Sequence, residues 1–247
     1  MSPRKRIGLI MPAQDSTSEP DFCRALGLED YSIHGQRIWD GFDISGAARM
    51  DRMNGEIDDA GRYLTQAEVD AVAYCCTTGS FYRGPGWDVE IIEKLEAASG
   101  VPAVATTPSV AAALTHIGAR KISVVTPYPQ WNNDRLREYF TAKGFEVLNV
   151  DTPADASVFG FNMCNHDPET VLEFGVERCL PEADTLLLSC TGWRALEVVE
   201  ELEARTGKMV VTANQATIWR LLDKMGWDAS ISGCGSLLSS RAPAAVG

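Results

Sequence analysis

The segment Ala73–Ser80, with the sequence AYCCTTGS, decides how the rest of the chain is interpreted. It follows an apolar run, Val69–Tyr74, that is typical of a buried strand, and it precedes a helical pattern. A related segment, Leu188–Gly192 (LSCTG), occurs late in the chain. Each segment places a thiol, followed at once by small and hydroxyl residues, where a strand ends. We therefore predict that Cys76 and Cys190 face one another across a single pocket.

An internal duplication relates these two cysteines. The apolar run Arg6–Pro12 is mirrored by Lys121–Pro127, and each run ends in proline. That proline precedes Cys76 by 64 residues in the first half and Cys190 by 63 residues in the second. The two thiols therefore occupy equivalent places in the two halves.

The segments that follow each cysteine also match. A helical pattern comes after both cysteines and ends at Gly100 in one half and Gly207 in the other. Next, VPAVATTPS at 101–109 corresponds to KMVVTANQA at 208–216. A period of more than a hundred residues indicates two similar lobes rather than a solenoid.

Strands that alternate with helices in both halves predict parallel sheets covered on both faces. We expect an α/β fold of two lobes, at residues 1–118 and 119–238, followed by a frayed tail at 239–247. The last helix of the first lobe is expected to cross over to the second. In more detail, the pattern predicts a continuous helical stretch over Ile44–Leu64 and a helix over 110–117 with Ser109 as its cap.

Composition excludes several classes of protein. The 247 residues are 45% apolar and 23% charged, as in ordinary globular proteins. A net charge of −12 disfavours nucleic-acid binding. No apolar stretch approaches the roughly 18 residues of a membrane span, and the N-terminus lacks the features of a signal peptide. Seven cysteines without metal-ligand spacing argue against zinc and suit a reducing compartment. We expect a cytoplasmic protein with no metal or organic cofactor.

Two thiols in one pocket permit two kinds of chemistry. Each thiol can exchange a proton on one face of a substrate, or one can attack carbon while the other serves as acid or base. Both roles need a lowered pKa, which a helix N-terminus after each cysteine could supply. The alternative is that both are inert core residues. Because side chains alternate along a strand, Cys75 is assigned to the core beside Cys76. Cys164 is assigned a structural role as well.

Polar residues around the thiols predict a site for a carboxylate. Backbone N–H groups and hydroxyls would point at the anion, with ordinary helix capping as the alternative. Tyr128 could donate its hydroxyl to the same anion or simply pack. Asp15 either faces the pocket or caps its loop. Asn214–Gln215 either orients substrate or caps a helix. The backbone and hydroxyl donors belong to Thr77, Thr78, Thr191 and Gly192.

Three segments resemble the aspartate/glutamate racemase superfamily, within its branch of maleate cis-trans isomerases and arylmalonate decarboxylases. They are CTTGSFYRG at 76–84, SCTGWRALEVVEELEARTG at 189–207 and VVTANQATIWRLL at 210–222. The resemblance extends from Ile7 to about Leu238. It implies two Rossmann-like lobes with pseudo-two-fold symmetry, an active-site cleft between them, and no metal or organic cofactor.

Carried over by position, the resemblance implies that Cys76 is a nucleophile and Cys190 its partner acid or base. In the decarboxylases the position of Cys76 is typically glycine, so two thiols favour isomerase or racemase chemistry. The block SFYRG at 80–84 nevertheless resembles the decarboxylases. The residues that fall where the family binds a substrate carboxylate are Thr77, Thr78, Tyr128 and Thr191.

Two positions depart from the maleate isomerase pattern. Those enzymes usually have Pro-Ser-Ser-Asn after the first strand, where this chain has Pro-Ala-Gln-Asp ending at Asp15. The second substrate-binding asparagine of the family is assigned to Asn162, in a segment that is shortened here.

These observations lead to one functional hypothesis and two alternatives. The first is a cofactor-independent cis-trans isomerase of a small unsaturated dicarboxylate such as maleate, acting through a covalent cysteine adduct. The second is a two-thiol racemase or an arylmalonate-type decarboxylase. The third is a two-lobed protein that binds a small ligand without catalysis. The expected partner is a small carboxylate, with no nucleic acid or membrane, and a homo-oligomer is left open.

Overall fold

A computed structural model of the chain describes residues 4–39, 46–154, 164–227 and 230–239. Most of the expected tail at 239–247 therefore lies outside the described residues. Within the described ranges, no helix is both long and apolar enough to cross a membrane.

The first half of the chain folds into four strands and five helices within the described residues. They are β1 (Lys5–Pro12), α1 (Ser18–Leu26), β2 (Tyr31–Ile38), α2 (Gly46–Gly55), α3 (Ile57–Thr65), β3 (Ala71–Tyr74), α4 (Trp87–Ser99), β4 (Ala103–Ala105) and α5 (Thr106–His116). A short 3₁₀ helix, Thr78–Ser80, lies between β3 and α4.

Within the described residues, the second half repeats this order except that one helix instead of two lies between its second and third strands and a short helix is added at its end. Its elements are β5 (Lys121–Val125), α6 (Gln130–Ala142), β6 (Glu146–Asp151), α7 (Pro168–Arg178), β7 (Thr185–Leu188), α8 (Val199–Thr206), β8 (Met209–Thr212), α9 (Ala213–Lys224) and α10 (Ser236–Ser239). A second 3₁₀ helix, Ala195–Glu197, precedes α8.

Each half contains one four-stranded sheet, and the two sheets have the same topology. The strand order is β2-β1-β3-β4 in the first and β6-β5-β7-β8 in the second, with every pair parallel. Corresponding strands therefore occupy corresponding places. The predicted α/β fold of two pseudo-symmetric lobes is confirmed.

The central strands are apolar on both faces because helices cover both faces of each sheet. β3 and β7, for example, are buried along their whole length. One hydrophobic core runs through both halves and contains residues of both sheets. The helices α5 and α9 pack against each other, and each also contacts strands of both sheets. These contacts join the two halves, and the predicted crossing of the last helix of the first lobe to the second stays a prediction.

The matched glycines Gly100 and Gly207 show how closely the duplication is kept. They end α4 and α8 with φ angles of 72° and 65°, and each donates its N–H to a carbonyl in the last turn of its helix. This left-handed conformation is one that glycine adopts without the steric cost of a side chain.

Two details of the predicted helices are wrong. Helix α5 begins at Thr106, so Ser109 lies inside its first turn and donates its hydroxyl to Ala105 O at 2.7 Å instead of capping. A proline in a first turn removes no helical hydrogen bond, which allows the earlier start. The continuous stretch predicted over Ile44–Leu64 is two helices, and at the break the Glu56 carboxylate accepts the N–H of Trp39 at 2.7 Å.

The start of α9 is fixed by a capping box. The Thr212 hydroxyl accepts the N–H of Gln215, and the Gln215 side chain accepts the N–H of Thr212. Gln215 therefore caps α9, which was the alternative to its orienting a substrate.

Replacement of the cap tests its contribution to stability. Thr212→Ala should lower the free energy of unfolding by about 1 kcal/mol, because a buried helix N-terminus loses its acceptor. Thr212→Ser keeps the hydroxyl and should retain most of that energy. Urea denaturation of the three proteins checks this, and equal stability of the alanine and serine variants would contradict it.

Candidate active site

One pocket lies where the carboxyl ends of the central strands of both sheets meet. Its walls come from the loops after β1, β3, β5 and β7 and from helix α2. Open α/β sheets commonly place ligands at this end of their strands. The lining residues are Pro12, Gln14, Asp15, Gly46, Arg49, Met50, Met53, Cys76, Thr77, Thr78, Tyr128, Trp131, Asn132, Cys164, Cys190, Thr191 and Gly192.

Cys76 occupies the wall that belongs to the first lobe. Its side chain is buried, and the N–H of Gly79 donates to its sulfur at 3.3 Å. The Gly79 carbonyl is held in turn by Asn54 Nδ2 at 3.0 Å and Trp87 Nε1 at 2.8 Å. A Cβ at Gly79 would collide with the hydroxyl of Tyr74. This N–H donor is therefore fixed against the Cys76 sulfur.

Cys190 lines the same pocket from the second lobe and is equally buried. Burial raises the pKa of Cys190 to about 12 and the nearby Cys164 adds to this rise, although hydrogen bonds from Tyr128 and the Gly192 N–H act in the other direction. The predicted lowering of this pKa by a helix is therefore wrong. The first α-helix after Cys190 begins only at Val199, so no α-helix N-terminus adjoins the sulfur.

Two more cysteines lie near the site: Cys75 is placed as predicted, and Cys164 is not. Cys75 is fully buried in the core and does not line the pocket. Cys164, assigned a structural role, instead lines the pocket beside Cys190. A Cβ built on Gly192 would lie 2.8 Å from the Cys164 sulfur and 3.6 Å from the Cys190 sulfur. The structural assignment of Cys164 is therefore wrong.

Hydroxyl groups cluster between the two thiols. The Tyr128 hydroxyl lies beside Thr77, Cys190 and Cys76, and burial, together with Cys190, raises the pKa of Tyr128 well above its usual range. Tyr128 therefore remains a donor at neutral pH. The Thr77 hydroxyl is buried, and among the described residues it makes no hydrogen bond of normal geometry. Such a group is suited to a polar ligand atom.

Two polar residues in the pocket were missed by the sequence analysis. Asn132 lies in the first turn of α6, where its Nδ2 donates to the Thr78 hydroxyl at 2.8 Å. Its buried Oδ1 has no partner within the described residues, and rotation of the amide would exchange the two atoms. Arg49, on α2, brings a buried positive charge to the pocket. The only sequence clue to Asn132 is its position one helical turn after Tyr128.

Asp15 lies at the pocket wall but is occupied as a cap. Its carboxylate accepts the N–H groups of Thr17 and Ser18 at 2.8 and 2.9 Å and the Ser18 hydroxyl at 2.7 Å. Burial raises the pKa of Asp15, although these hydrogen bonds and Arg37 lower it in part. Asp15 thus caps its loop, immediately before α1, and also lines the pocket, so both predicted placements are present together.

Two asparagines, Asn162 and Asn214, are also candidates from the sequence. Asn162 lies outside the described residues. Asn214 does not line the pocket, so its predicted role in orienting substrate is wrong. Its Nδ2 donates instead to Thr191 O at 2.9 Å and to Asp21 Oδ2 at 2.8 Å. In the described ranges, no three His, Cys, Asp or Glu side chains converge in a way that would hold a metal ion.

Two α/β lobes, with a thiol after a central strand of each lobe, define the class of the aspartate/glutamate racemase superfamily. The chain belongs to the arylmalonate decarboxylase family, whose family model matches residues 7–238.

Individual relatives include both enzymes of this branch. The chain is 24% identical to the maleate isomerase of Geobacillus stearothermophilus, over 98% of this chain and 100% of that one. It is 26% identical to the arylmalonate decarboxylase of Bordetella bronchiseptica, over 85% and 83% of the two chains. A crystal structure of Nocardia farcinica maleate cis-trans isomerase, with a covalently bound succinylcysteine intermediate, superposes with a TM-score of 0.86. That pair shares 21% identity, and the match covers 97% and 100% of the chains.

A buried carboxyl group behind the pocket gives a prediction about pH. Burial raises the pKa of Asp21 to about 7; Asp15 and Glu197 add to the rise, while Asn214 and Arg24 oppose it. A carboxyl whose pKa is raised by folding stabilises the protein in its protonated form. That stabilisation is complete below the unfolded value of 3.8 and is lost as the pH rises through 7.

The variant Asp21→Asn, which carries no charge at any pH, should reveal this loss. From pH 4 to pH 8 the wild type should lose a few kcal/mol of unfolding free energy relative to the variant. Asp88→Asn is the control. Burial acts to raise the pKa of Asp88, but hydrogen bonds from Lys143 and Tyr139 bring it below its ordinary value. The difference in unfolding free energy between the wild type and Asp88→Asn should therefore change only below about pH 4. There the wild type loses stability as the pH falls, which is the opposite direction. Denaturation curves at each pH measure both, and a constant difference for Asp21→Asn would contradict the prediction.

Proposed function

We propose that this protein is a cofactor-independent cis-trans isomerase of a small unsaturated dicarboxylate such as maleate. The observation that carries the proposal is the presence of two buried thiols, Cys76 and Cys190, in the walls of one pocket. Full-length similarity to maleate isomerases supports it, as does the succinylcysteine adduct described for the Nocardia farcinica enzyme.

In this proposal Cys76 is the nucleophile. Its thiolate adds to one alkene carbon, so that a C–S bond forms and the π bond becomes an enolate-like carbanion at the neighbouring carbon. The Gly79 N–H at the sulfur favours the thiolate. With only a single bond left between the two carbons, the adduct rotates.

Cys190 is the partner acid and base. It gives its proton to the carbanion, which completes the succinyl adduct, and after rotation its thiolate removes that proton again as the C–S bond breaks. The pKa of about 12 supports this order of events, because Cys190 stays protonated until the carbanion forms. Each proton and electron pair returns to its origin, so that only the geometry of the alkene changes.

The polar groups of the pocket divide between the two ends of such a substrate. Thr77, Thr78 and Tyr128, together with the backbone of Thr191 and Gly192, surround the thiols and would bind the carboxylate that bears the enolate charge. We assign the second carboxylate to Arg49, since this cation lines the same pocket from α2. Asn162 and Asp15 remain proposed members of the site.

An arylmalonate-type decarboxylase is the second candidate. The family model and the apolar side chains of Met50, Met53 and Trp131 in the pocket favour it, because a wall of this kind suits an aryl group. A two-thiol racemase would use the same pair of cysteines. The presence of both Cys76 and Cys190 in the pocket favours the isomerase over the decarboxylase.

The proposal also covers the lobe boundaries, the cellular compartment and the assembly of the protein. We propose lobes at 1–118 and 119–238, supported by one sheet in each. None of the seven cysteines, all of which lie in the described ranges, forms a disulfide, which supports a reducing cytoplasm. Assembly into a homo-oligomer is part of the proposal and can be measured by light scattering.

Removal of either thiol tests the isomerase. Cys76→Ala and Cys190→Ala should each lower the formation of fumarate from maleate by at least about 1,000-fold, because each thiol performs a step that the other cannot. Proton NMR measures the two isomers directly. Cys75→Ala, the core neighbour, serves as the matched control and should retain activity. Carbon dioxide release from an arylmalonate by Cys76→Ala would instead indicate the decarboxylase.

Replacement of the pocket arginine tests the second carboxylate. Arg49→Gln should raise KM for maleate about 10- to 100-fold and change kcat much less, since the carboxylate would lose a charged partner in both ground and transition states. Arg52→Gln, at an exposed position on the same helix, is the control and should leave both constants unchanged. An unchanged KM in Arg49→Gln would remove Arg49 from the site.

A further inference from the structure

The two loops that carry the thiols are held by matching hydrogen bonds from neighbouring helices. In the first lobe, the Thr107 hydroxyl donates to the carbonyl of Thr77 at 2.9 Å. In the second, Asn214 Nδ2 donates to the carbonyl of Thr191, also at 2.9 Å. Thr77 directly follows Cys76, and Thr191 directly follows Cys190. The same peptide group is therefore held in both lobes.

The two donors are equivalent in the duplication. Thr107 is the second residue of α5, and Asn214 is the second residue of α9. They stand at the same place in the matched segments 101–109 and 208–216. A contact repeated at equivalent positions, but made by different side chains, indicates that the hydrogen bond itself is what the two lobes share.

The geometry of the peptide group explains what such a hydrogen bond does. In a trans peptide the carbonyl and the following N–H point in opposite directions, and the described residues contain no cis peptide. When Asn214 holds the Thr191 carbonyl from behind, the N–H of the same peptide, that of Gly192, points the other way. Gly192 adjoins the thiol, since a Cβ built on it would lie 3.6 Å from the Cys190 sulfur, and its N–H acts to lower the pKa of Cys190. Thr17 holds the next carbonyl, that of Gly192, at 2.9 Å.

The second lobe differs from the first in what supports the donor. The Asn214 amide is itself held by the Asp21 carboxylate at 2.8 Å. Because both hydrogens of Nδ2 have acceptors, a rotated amide would place oxygen against oxygen, so the orientation of the side chain is fixed. Thr107 has neutral support, since its N–H donates to Ser80 Oγ at 3.0 Å.

We propose that Asn214, supported by Asp21, is a positioning residue that holds the Gly192 N–H against the Cys190 sulfur. Thr107 acts on the loop of Cys76 less directly: the peptide that it holds carries the N–H of Thr78, and the Gly79 N–H that donates to the Cys76 sulfur belongs to the next peptide of the same turn. The inference rests on the proposed function only in so far as it gives the two thiols a part in catalysis. The effect on the thiols themselves can be measured without any substrate.

The experiment compares variants of equal shape that differ only in the donor. Asn214→Thr restores a hydroxyl like that of Thr107, whereas Asn214→Val has the same shape and no donor. In the first lobe, the wild type, which has the Thr107 hydroxyl, is compared in the same way with Thr107→Val, which lacks it. Circular dichroism establishes that each variant is folded. Iodoacetamide then labels the protein at several pH values from 7 to 9.5, and peptide mass spectrometry gives the rate at each cysteine.

The expected result is a crossed pattern. Asn214→Val should slow labelling of Cys190 about tenfold at every pH and leave Cys76 within about twofold, because less thiolate forms without the directed N–H. Asn214→Thr should recover most of that rate. Thr107→Val should slow Cys76 and leave Cys190 unchanged. If the Asn214 variants do not fold, Asp21→Asn and the Thr107 pair carry the same test.

Other outcomes would overturn the inference. If both cysteines change together in every variant, the side chains only stabilise the fold. If Asn214→Thr behaves like Asn214→Val, the hydrogen bond to the loop is not what matters. In turnover of maleate, Asn214→Val should lower kcat about 10- to 100-fold and change KM less than about threefold. The crossed pattern without any wild-type turnover would contradict the proposed function while the positioning role stands.

Discussion

The hydrogen bonds to the carbonyls of Thr77 and Thr191 are the constraint on which the site depends. Each thiol sits in a loop that is buried at the end of a central strand, where water cannot satisfy the peptide groups. Side chains from α5 and α9, the two helices that pack against each other between the sheets, donate to both carbonyls, and the Thr77 carbonyl also accepts the N–H and hydroxyl of Ser80. The interface between the lobes and the geometry of the two thiols are therefore set by the same pair of helices.

Burial then gives the two halves of the site different chemistry. The fold repeats, yet Cys76 receives an N–H from a rigid 3₁₀ turn, whereas Cys190 lies in a pocket that keeps it protonated. A nucleophile and a proton donor can in this way arise from two copies of one motif. Arg49 adds a positive charge on one side only, which suits a substrate with two carboxylates better than a symmetric one-carboxylate racemase.

The sequence was sufficient for the fold and for the pair of thiols because both repeat. The alternation of strands and helices, and the matched spacing of Cys76 and Cys190, appear twice and confirm each other. Arg49 and Asn132 could not be found in this way, since they lie on helices whose patterns resemble any solvated helix. The pKa of Cys190 was predicted with the wrong sign, because the chain does not show that eight residues, among them a short 3₁₀ helix, separate the thiol from α8. Cys164 comes from a segment with no regular pattern at all.

A trapped adduct would test the central claim most directly. Intact-protein mass spectrometry of the Cys190→Ser variant, incubated with maleate, should show the gain of one maleate molecule, and peptide mapping should place it on Cys76. The same variant with Cys76 also replaced should gain nothing. No adduct under conditions where the wild type forms fumarate, or an adduct on Cys164 in place of Cys76, would contradict the account.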